Sequence, residues 1–510
     1  MPGAGTPLGG KVAVLGLDGV SLDLIISLVG EGYLPTFRKI LEEGVHGVLR
    51  STIPPISPVA WTSIATGLNP GKHGVFGFVD RHLRPHSSWN LRGKALWDLA
   101  SASGRKVICL NVPFTYPPYP VRGLMVSGPP CPRDKARTYP HGLAKELEGI
   151  GYKVDIRLPG EEYRGLEEEV FLEEAEEVTR LRIEALSYLM EKTAWDLLYV
   201  VFTTPDRVQH VFFGRAFRGS PLYDERGRSA LVGYFRLLDD LLGGLLPELE
   251  DAVVFLVSDH GFEPLYRYVG LQNLVSGFLA RRKPLRALYD IPLRLMGKLG
   301  LIKLMKEALG HLGLLSAARR RAGGGLECGM GYIYSNDPSL DLRELARYLT
   351  AIRDEGGRRV IERVYLKEEL YHGPFLKEAP DLVVVPGEGY EVKGFLVEGF
   401  SDVRPVKGMI YKTGTHMGLK ARSGFLAILG PGVKRGVRLD ADVYDIAPTV
   451  LHVLGLPIPK GVDGRVLTDA YEEGGELARR PARMGLSTRE TLALRVKRIR
   501  AAIRYRRKEA

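Results

Sequence analysis

Six short runs in this chain are apolar at nearly every position: Lys11–Leu17, Lys106–Asn111, Asp196–Phe202, Ala252–Val257, Asp381–Val385 and Gly424–Leu429. A strand with one wet face alternates polar and apolar residues. Runs such as VAVLGL, DLLYVVF and AVVFLV do not alternate, which predicts central strands of a parallel sheet covered on both faces. Helical spacing appears between them, as in Leu166–Met190 with its acidic start. The alternation predicts an α/β fold on a doubly wound, mainly parallel sheet. Residues 9–262 and 371–475 are expected to form this core. Residues 263–328, rich in Leu, Lys and Arg, interrupt it as a helical insertion. Residues 329–370 read as strand, helix, strand, a small α+β lobe, and 479–510 as a separate appendage. No internal repeat or low-complexity tract is visible.

Composition adds compartment and charge. The 510 residues are 45% hydrophobic and 26% charged, an ordinary globular balance that excludes disorder, collagen and a disulfide scaffold. Cys109, Cys131 and Cys328 are odd in number and widely spaced, so no disulfide framework is expected. No signal-peptide pattern or membrane-length apolar run is visible, and the reading is cytoplasmic. Amides are scarce beside the many arginines, as in thermophilic proteins. The net charge is +11. Residues 479–510 carry 12 Lys/Arg against two Glu, and 261–328 carry 12 against four acids. The rest of the chain is therefore mildly acidic, and basicity alone does not make this a nucleic-acid binder.

Chemistry gathers where the predicted strands end, as it does in open α/β sheets. The first run leads into Asp18-Gly19, the third into Thr203-Thr204-Pro205-Asp206, the fourth through Ser258 into Asp259-His260-Gly261. A single strand-end Asp is commonly a turn former. Three at one sheet edge, two with His nearby, suggest a metal site. Asp206 and His210, four residues apart, share one face of a helix starting after Pro205 and could share one ion. Asp with His suits zinc or manganese. Upstream, Ser57 is a natural N-cap, Pro58 fits the first helical position, and Gly67 fits the helix stop. Capping would explain Ser57 completely. The same position also gives a hydroxyl the positive potential of a helix N-terminus, which favours an alkoxide and a phosphate.

In chain order, Asp18-Gly19, SPVAWTSIATGLNPGKHG from Ser57, PDRVQH from Pro205, SDHGF from Ser258, GTHMG from Gly414 and VYDIAPTVLHVLGLPIPKGVDGRVL from Val443 resemble the alkaline phosphatase superfamily. The nearest branch is the type I phosphodiesterase/nucleotide pyrophosphatase group. The resemblance implies an alkaline phosphatase-like core holding two divalent metal ions, zinc or alternatively manganese. It implies that Asp18, Asp259 and His260 bind one ion, together with the nucleophile Ser57. It implies that Asp206, His210 and His416 bind the other. The implied activity is phosphoester hydrolysis through a phosphoseryl intermediate, on a nucleotide or other phosphorylated small molecule. Phosphomonoester hydrolysis and phosphoglycerate mutase-like transfer on the same core are alternatives. The stretch from Asp445 to Arg465 resembles a structural signature, and His73 and His452 are read as structural. One departure is Ala60, where many relatives carry an Asn that helps hold a phosphate oxygen. No substrate-binding residue is therefore identified.

The basic segments remain apart from this site. From Ser487 the tail reads as a helix with an apolar stripe at Leu492, Val496, Ile499 and Ile503 among Arg495, Lys497, Arg498, Arg500, Arg504, Arg506 and Arg507. Contact with anionic membrane or nucleic acid is one reading, docking on its own domain another. A non-catalytic scaffold using that tail is the alternative of a different class. The insertion, with Arg281, Arg282 and Arg286, reads either as a lid over the site or as a cap on apolar surface.

Overall fold

The computed structural model of the chain describes residues 10–82, 84–89, 95–156, 168–282, 326–394, 400–403 and 410–485. Its main sheet takes strands β1 (Lys11–Leu17), β2 (Val45–Arg50), β3 (Val107–Val112), β4 (Gly123–Ser127), β5 (Thr138–Tyr139), β6 (Leu197–Phe202) and β7 (Ala252–Val257) from the first half. Two smaller sheets use β8 (Glu263–Gly270), β9 (Leu326–Cys328), β10 (Tyr332–Ser335), β11 (Ile361–Leu366), β12 (Leu382–Pro386), β13 (Gly389–Lys393), β14 (Phe400–Asp402) and β15 (Gly414–Thr415). The chain then returns to the main sheet with β16 (Ser423–Leu429), β17 (Val437–Arg438) and β18 (Ala441–Asp442). The main order is β17-β2-β16-β7-β1-β6-β3-β4-β5, with β18 also on β2. The central run β7-β1-β6-β3-β4 is parallel, and β16 and β5 flank it antiparallel.

The absence of alternation in these strands has a direct cause. Val12 and Val14 face one apolar layer, with Trp61, Leu96 and Val450. Ala13, Leu15 and Leu17 face the other, with Phe37, Phe171 and Leu238. Both faces of β1 are dry, and each such burial is worth about 1.5–3 kcal/mol. Helices α1 (Ser57–Thr66) and α5 (Ile446–Val453) lie on the first face; α2 (Glu168–Lys192), α3 (Thr204–Ala216) and α4 (Glu225–Leu245) lie on the second. The fold is α/β and doubly wound, as its pattern predicts.

Three boundaries differ from the expectation. The run near Asp381–Val385 does not join the main sheet. As β12 it pairs antiparallel with β10 and β11, so the small lobe's sheet extends beyond residue 370. Its apolar residues are buried between neighbours of that smaller sheet, which the linear pattern cannot distinguish from a central position. Residue 263 does not begin a helical insertion but opens β8, followed by a helix at Leu271–Arg282. The rest of the expected lid, with Arg286, lies outside the described residues, as does the tail helix from Ser487. Residues 479–485 are tied down: Arg480 Nη1 donates to the carbonyls of His452 and Val453, and Ile458 N donates to Arg483 O. The expected appendage therefore does not begin at residue 479.

Candidate metal centre and nucleophile

Asp18, Asp206 and Asp259 follow the C-terminal ends of three adjacent parallel strands. Leu17 pairs with Phe202 and Gly16 with Val257, so the strands end level. Gly19 (φ 77°) turns the chain away where a Cβ would strike the Phe262 ring. Asp206 and His210 stand one turn apart on α3. His416 follows directly after β15, whose Gly414 and Thr415 pair with β8.

These groups converge and are almost dry: Asp18, Asp206, Asp259 and His260 are at most 2% exposed. Ligand atoms of Asp18, Asp259 and His260 all lie within 4.8 Å of one another, as do those of Asp206, His260 and His416. His260 thus belongs to both trios. His210 lies outside the second trio, but its Nε2 is 3.4 Å from Asp206 Oδ1. The His260 and His416 rings stack with centroids 3.9 Å apart.

The hydrogen bonds fix the tautomers. Nδ1 of His210 bonds to Gly414 O at 3.0 Å, that of His260 to Gly261 O at 3.0 Å, and that of His416 to Pro55 O at 2.9 Å. A carbonyl only accepts, so each Nδ1 carries the proton. Each Nε2 therefore presents a lone pair to carboxylates: 3.3 Å to Asp259 Oδ2 for His260, 3.8 Å to Asp206 Oδ1 for His416. Those two oxygens, Asp206 Oδ1 and Asp259 Oδ2, are buried and make no hydrogen bond. Lone pairs facing lone pairs in a dry pocket are repulsive, and an unpaired buried acceptor costs about 1–3 kcal/mol. Cations resolve both problems, and backbone carbonyls orienting the far ring nitrogens are the usual second layer of a metal site. The donor set of carboxylates and imidazoles fits zinc or manganese.

The titration pattern agrees. Burial and the carboxylates of Asp259 and Asp206 push Asp18 well above the usual range. Burial, with Asp206 beside it, pushes Asp259 up to about 8. Burial pulls His210 down to about 4 and His416 well below the usual imidazole value. For Asp206 burial acts upward, but His210, Arg207 and His416 outweigh it and hold the carboxyl low.

Ser57 is not a cap. Ile56 holds the extended N-cap position, Ser57 is the first helical residue, and no side chain caps α1. The hydroxyl points into the cluster instead, 3.4 Å from Asp18 Oδ1 and 3.3 Å from His260 Nε2. The positive end of α1 lies behind it. Ala60 is fully buried within α1.

Two partners escape a reading of the sequence. One turn past Ser57, Trp61 Nε1 donates to Asp18 Oδ2 at 3.0 Å, leaving Oδ1 toward Ser57. Gly16 makes room for that ring, since a Cβ there would lie 2.5 Å from it. Trp61→Phe keeps the packing but removes the donor, so kcat is expected to fall about tenfold with a loss of about 1–3 kcal/mol in stability; steady-state kinetics and thermal denaturation check this. Arg207 donates to Asp206 Oδ2 and holds Asp155 at 2.8 Å, fixing Asp206 with Oδ1 free. A charged residue beside a ligand is the available signal, but its direction is not legible in one dimension. His73 and His452 are structural as read. His73 is buried against Ser63 Oγ, and His452 Nε2 bonds to Leu477 O. Asp445 accepts from Asp442 N and Arg465 N, which makes its motif a brace.

A serine hydroxyl against a buried aspartate/histidine cluster, at the C-terminal edge of a doubly wound sheet, fits a metal-dependent phosphoester hydrolase. The sequence profile of type I phosphodiesterase / nucleotide pyrophosphatase matches residues 12–395, and the chain belongs to that family. No curated protein matches it. Among solved structures it is similar to murine ectonucleotide pyrophosphatase/phosphodiesterase 5, with a TM-score of 0.52, 14% identity, and coverage of 88% of this chain and 96% of that one. The inactive form of that mouse protein in complex with AMP gives a TM-score of 0.53 at the same identity and coverage.

Proposed function

We propose that this enzyme cleaves phosphodiester or pyrophosphate bonds in nucleotides or related small molecules, with Ser57 as nucleophile and two divalent cations, zinc first and manganese second. The observation that carries this reading is the Ser57 hydroxyl beside Asp18 and His260, in a cluster where Asp206 Oδ1 and Asp259 Oδ2 are buried without a hydrogen-bond partner. Asp18, Asp259 and His260, with Ser57, would hold one ion. Asp206, His210 and His416 would hold the other, with His260 close to both. Bound there, the ions would lower the pKa of the Ser57 hydroxyl and balance the charge of the transition state.

Ser57 Oγ attacks phosphorus, the Oγ–P bond forms as its proton leaves, and the bond from phosphorus to the departing oxygen breaks. Water then adds to the phosphoseryl ester, the Oγ–P bond breaks, and Ser57 regains a proton. Arg207 and Trp61 keep the two ligand carboxylates from turning during this cycle. The AMP complex of the mouse relative supports a nucleotide as substrate class.

A panel of bis-p-nitrophenyl phosphate, dinucleotide pyrophosphates and monoesters, run with zinc and with manganese, tests this. Turnover lost to chelator and restored by either ion is expected; turnover indifferent to chelator contradicts the reading. The three buried free thiols support a reducing, cytoplasmic setting. No helix among the described residues is long and apolar enough to cross a membrane. A role for the basic tail toward anionic membrane or nucleic acid rests on charge alone. Truncation after Gly485, with vesicle and RNA binding measured, decides it; unchanged binding rejects the role.

A further inference from the structure

The Glu391 carboxylate on β13 is fully buried and holds more positive charge than it can balance. Lys393 pairs with its Oε1, and Lys412 lies 2.6 Å from its Oε2. Oε2 also accepts from Thr415 Oγ1 at 2.8 Å. One carboxylate against two ammonium groups leaves a surplus of one positive charge. The two lysines are not equivalent. Lys393 also lies over the Tyr268 ring, 4.9 Å from its centroid. Lys412 belongs to the segment that closes the metal centre. Its neighbour Thr413 donates from its backbone to His210 O at 2.8 Å, and Thr415 precedes His416. Its positive charge acts on Asp206, His210 and His416. Its side chain is 23% exposed, so it is open to a ligand. Among the described residues it has one acidic partner, Glu391, and an ammonium has three donors.

We infer that Lys412 is a specificity residue of this active site, binding a phosphate oxygen and favouring substrates whose phosphate carries a second negative charge. The inference rests on the proposed metal centre and extends it to the substrate. A diester phosphate has one negative charge, and a monoester phosphate has two near pH 8. A surplus cation beside the ions gains more from the second than from the first, because Coulomb attraction grows with the charge on the phosphate. The site also lacks an amide at Ala60, so this ammonium supplies a phosphate contact from another direction.

The test compares p-nitrophenyl phosphate with bis-p-nitrophenyl phosphate, which share a leaving group, on the zinc-loaded enzyme at pH 8. The readout is the ratio of kcat/KM for monoester over diester. Lys412→Met is expected to lower that ratio about tenfold to a hundredfold, the scale of one charge-assisted hydrogen bond. Lys412→Arg, which keeps the charge, is expected to recover most of it. Lys393→Met removes the other ammonium from the same carboxylate and is expected to leave the ratio within about threefold. Metal content is measured on each variant. An equal fall on both substrates, with or without metal loss, overturns the inference and reduces Lys412 to a support for His416. A wild-type enzyme that turns over the diester but not the monoester also overturns it. A wild-type enzyme inactive on both when loaded contradicts the proposed function instead.

Discussion

Ser57→Ala is expected to abolish turnover while leaving the metal centre intact. Removing a covalent nucleophile costs about 10⁴-fold or more in kcat where the rest of the site persists. Here the loss is one hydroxyl from the first residue of α1. No cap is lost, because Ile56 holds the N-cap and no side chain caps the helix. The other proposed ligands, Asp18, Asp259, His260, Asp206, His210 and His416, are untouched. The variant should therefore fold, melt near the wild-type temperature and retain two equivalents of metal. Activity on bis-p-nitrophenyl phosphate within about tenfold of wild type would reject Ser57 as nucleophile. Loss of metal along with activity would assign Ser57 a structural share in the centre.

The second large effect concerns metal removal, and it depends on pH. Without cations, Asp259 titrates near 8 in the folded chain against 3.8 for a free aspartate. Between those values the folded state holds a proton that the unfolded chain has released. Stability then falls as pH rises, because the native state binds more protons. Asp18 moves in the same direction. His210, pulled down to about 4, and His416 oppose this fall up to the free imidazole value of 6.5, so chelated protein should melt at its highest temperature near pH 6.5 and lose stability toward pH 8. Metal-loaded protein should not follow, since bound cations replace the proton and each ligand enters deprotonated. At about a hundredfold excess over Kd each ion adds about 2.7 kcal/mol. The gap in Tm between loaded and chelated protein should widen from pH 5 to pH 8. A constant gap across that range would mean that the carboxylates are not discharged by metal.

Legibility in the sequence divides along a physical line. Strands β1, β6 and β7 were readable because an all-apolar run can only be buried on both faces. The acids at their ends were readable because parallel neighbours bring their C-terminal ends to one edge. Asp206 and His210 were readable from helical spacing. His416 was not, since nothing within its own segment marks it, and only the ordered motifs of the family single it out. Locally Ser57 reads as a cap, and the three-dimensional arrangement removes that role by putting Ile56 in the cap position. Trp61, Arg207 and the Lys412–Glu391 pair depend on contacts between segments far apart in the chain. A tryptophan in a helix, an arginine after an aspartate and a lysine before a threonine carry no direction by themselves. The β12 run shows the converse failure, since burial is legible but the sheet that provides it is not.

Rapid acid quenching of the zinc-loaded enzyme during turnover of a phosphorus-labelled diester tests the central claim most directly. Label is expected covalently attached to the peptide containing Ser57, released by water on the timescale of turnover and absent from Ser57→Ala. Full turnover with no label on that peptide, in a quench faster than kcat, would contradict it.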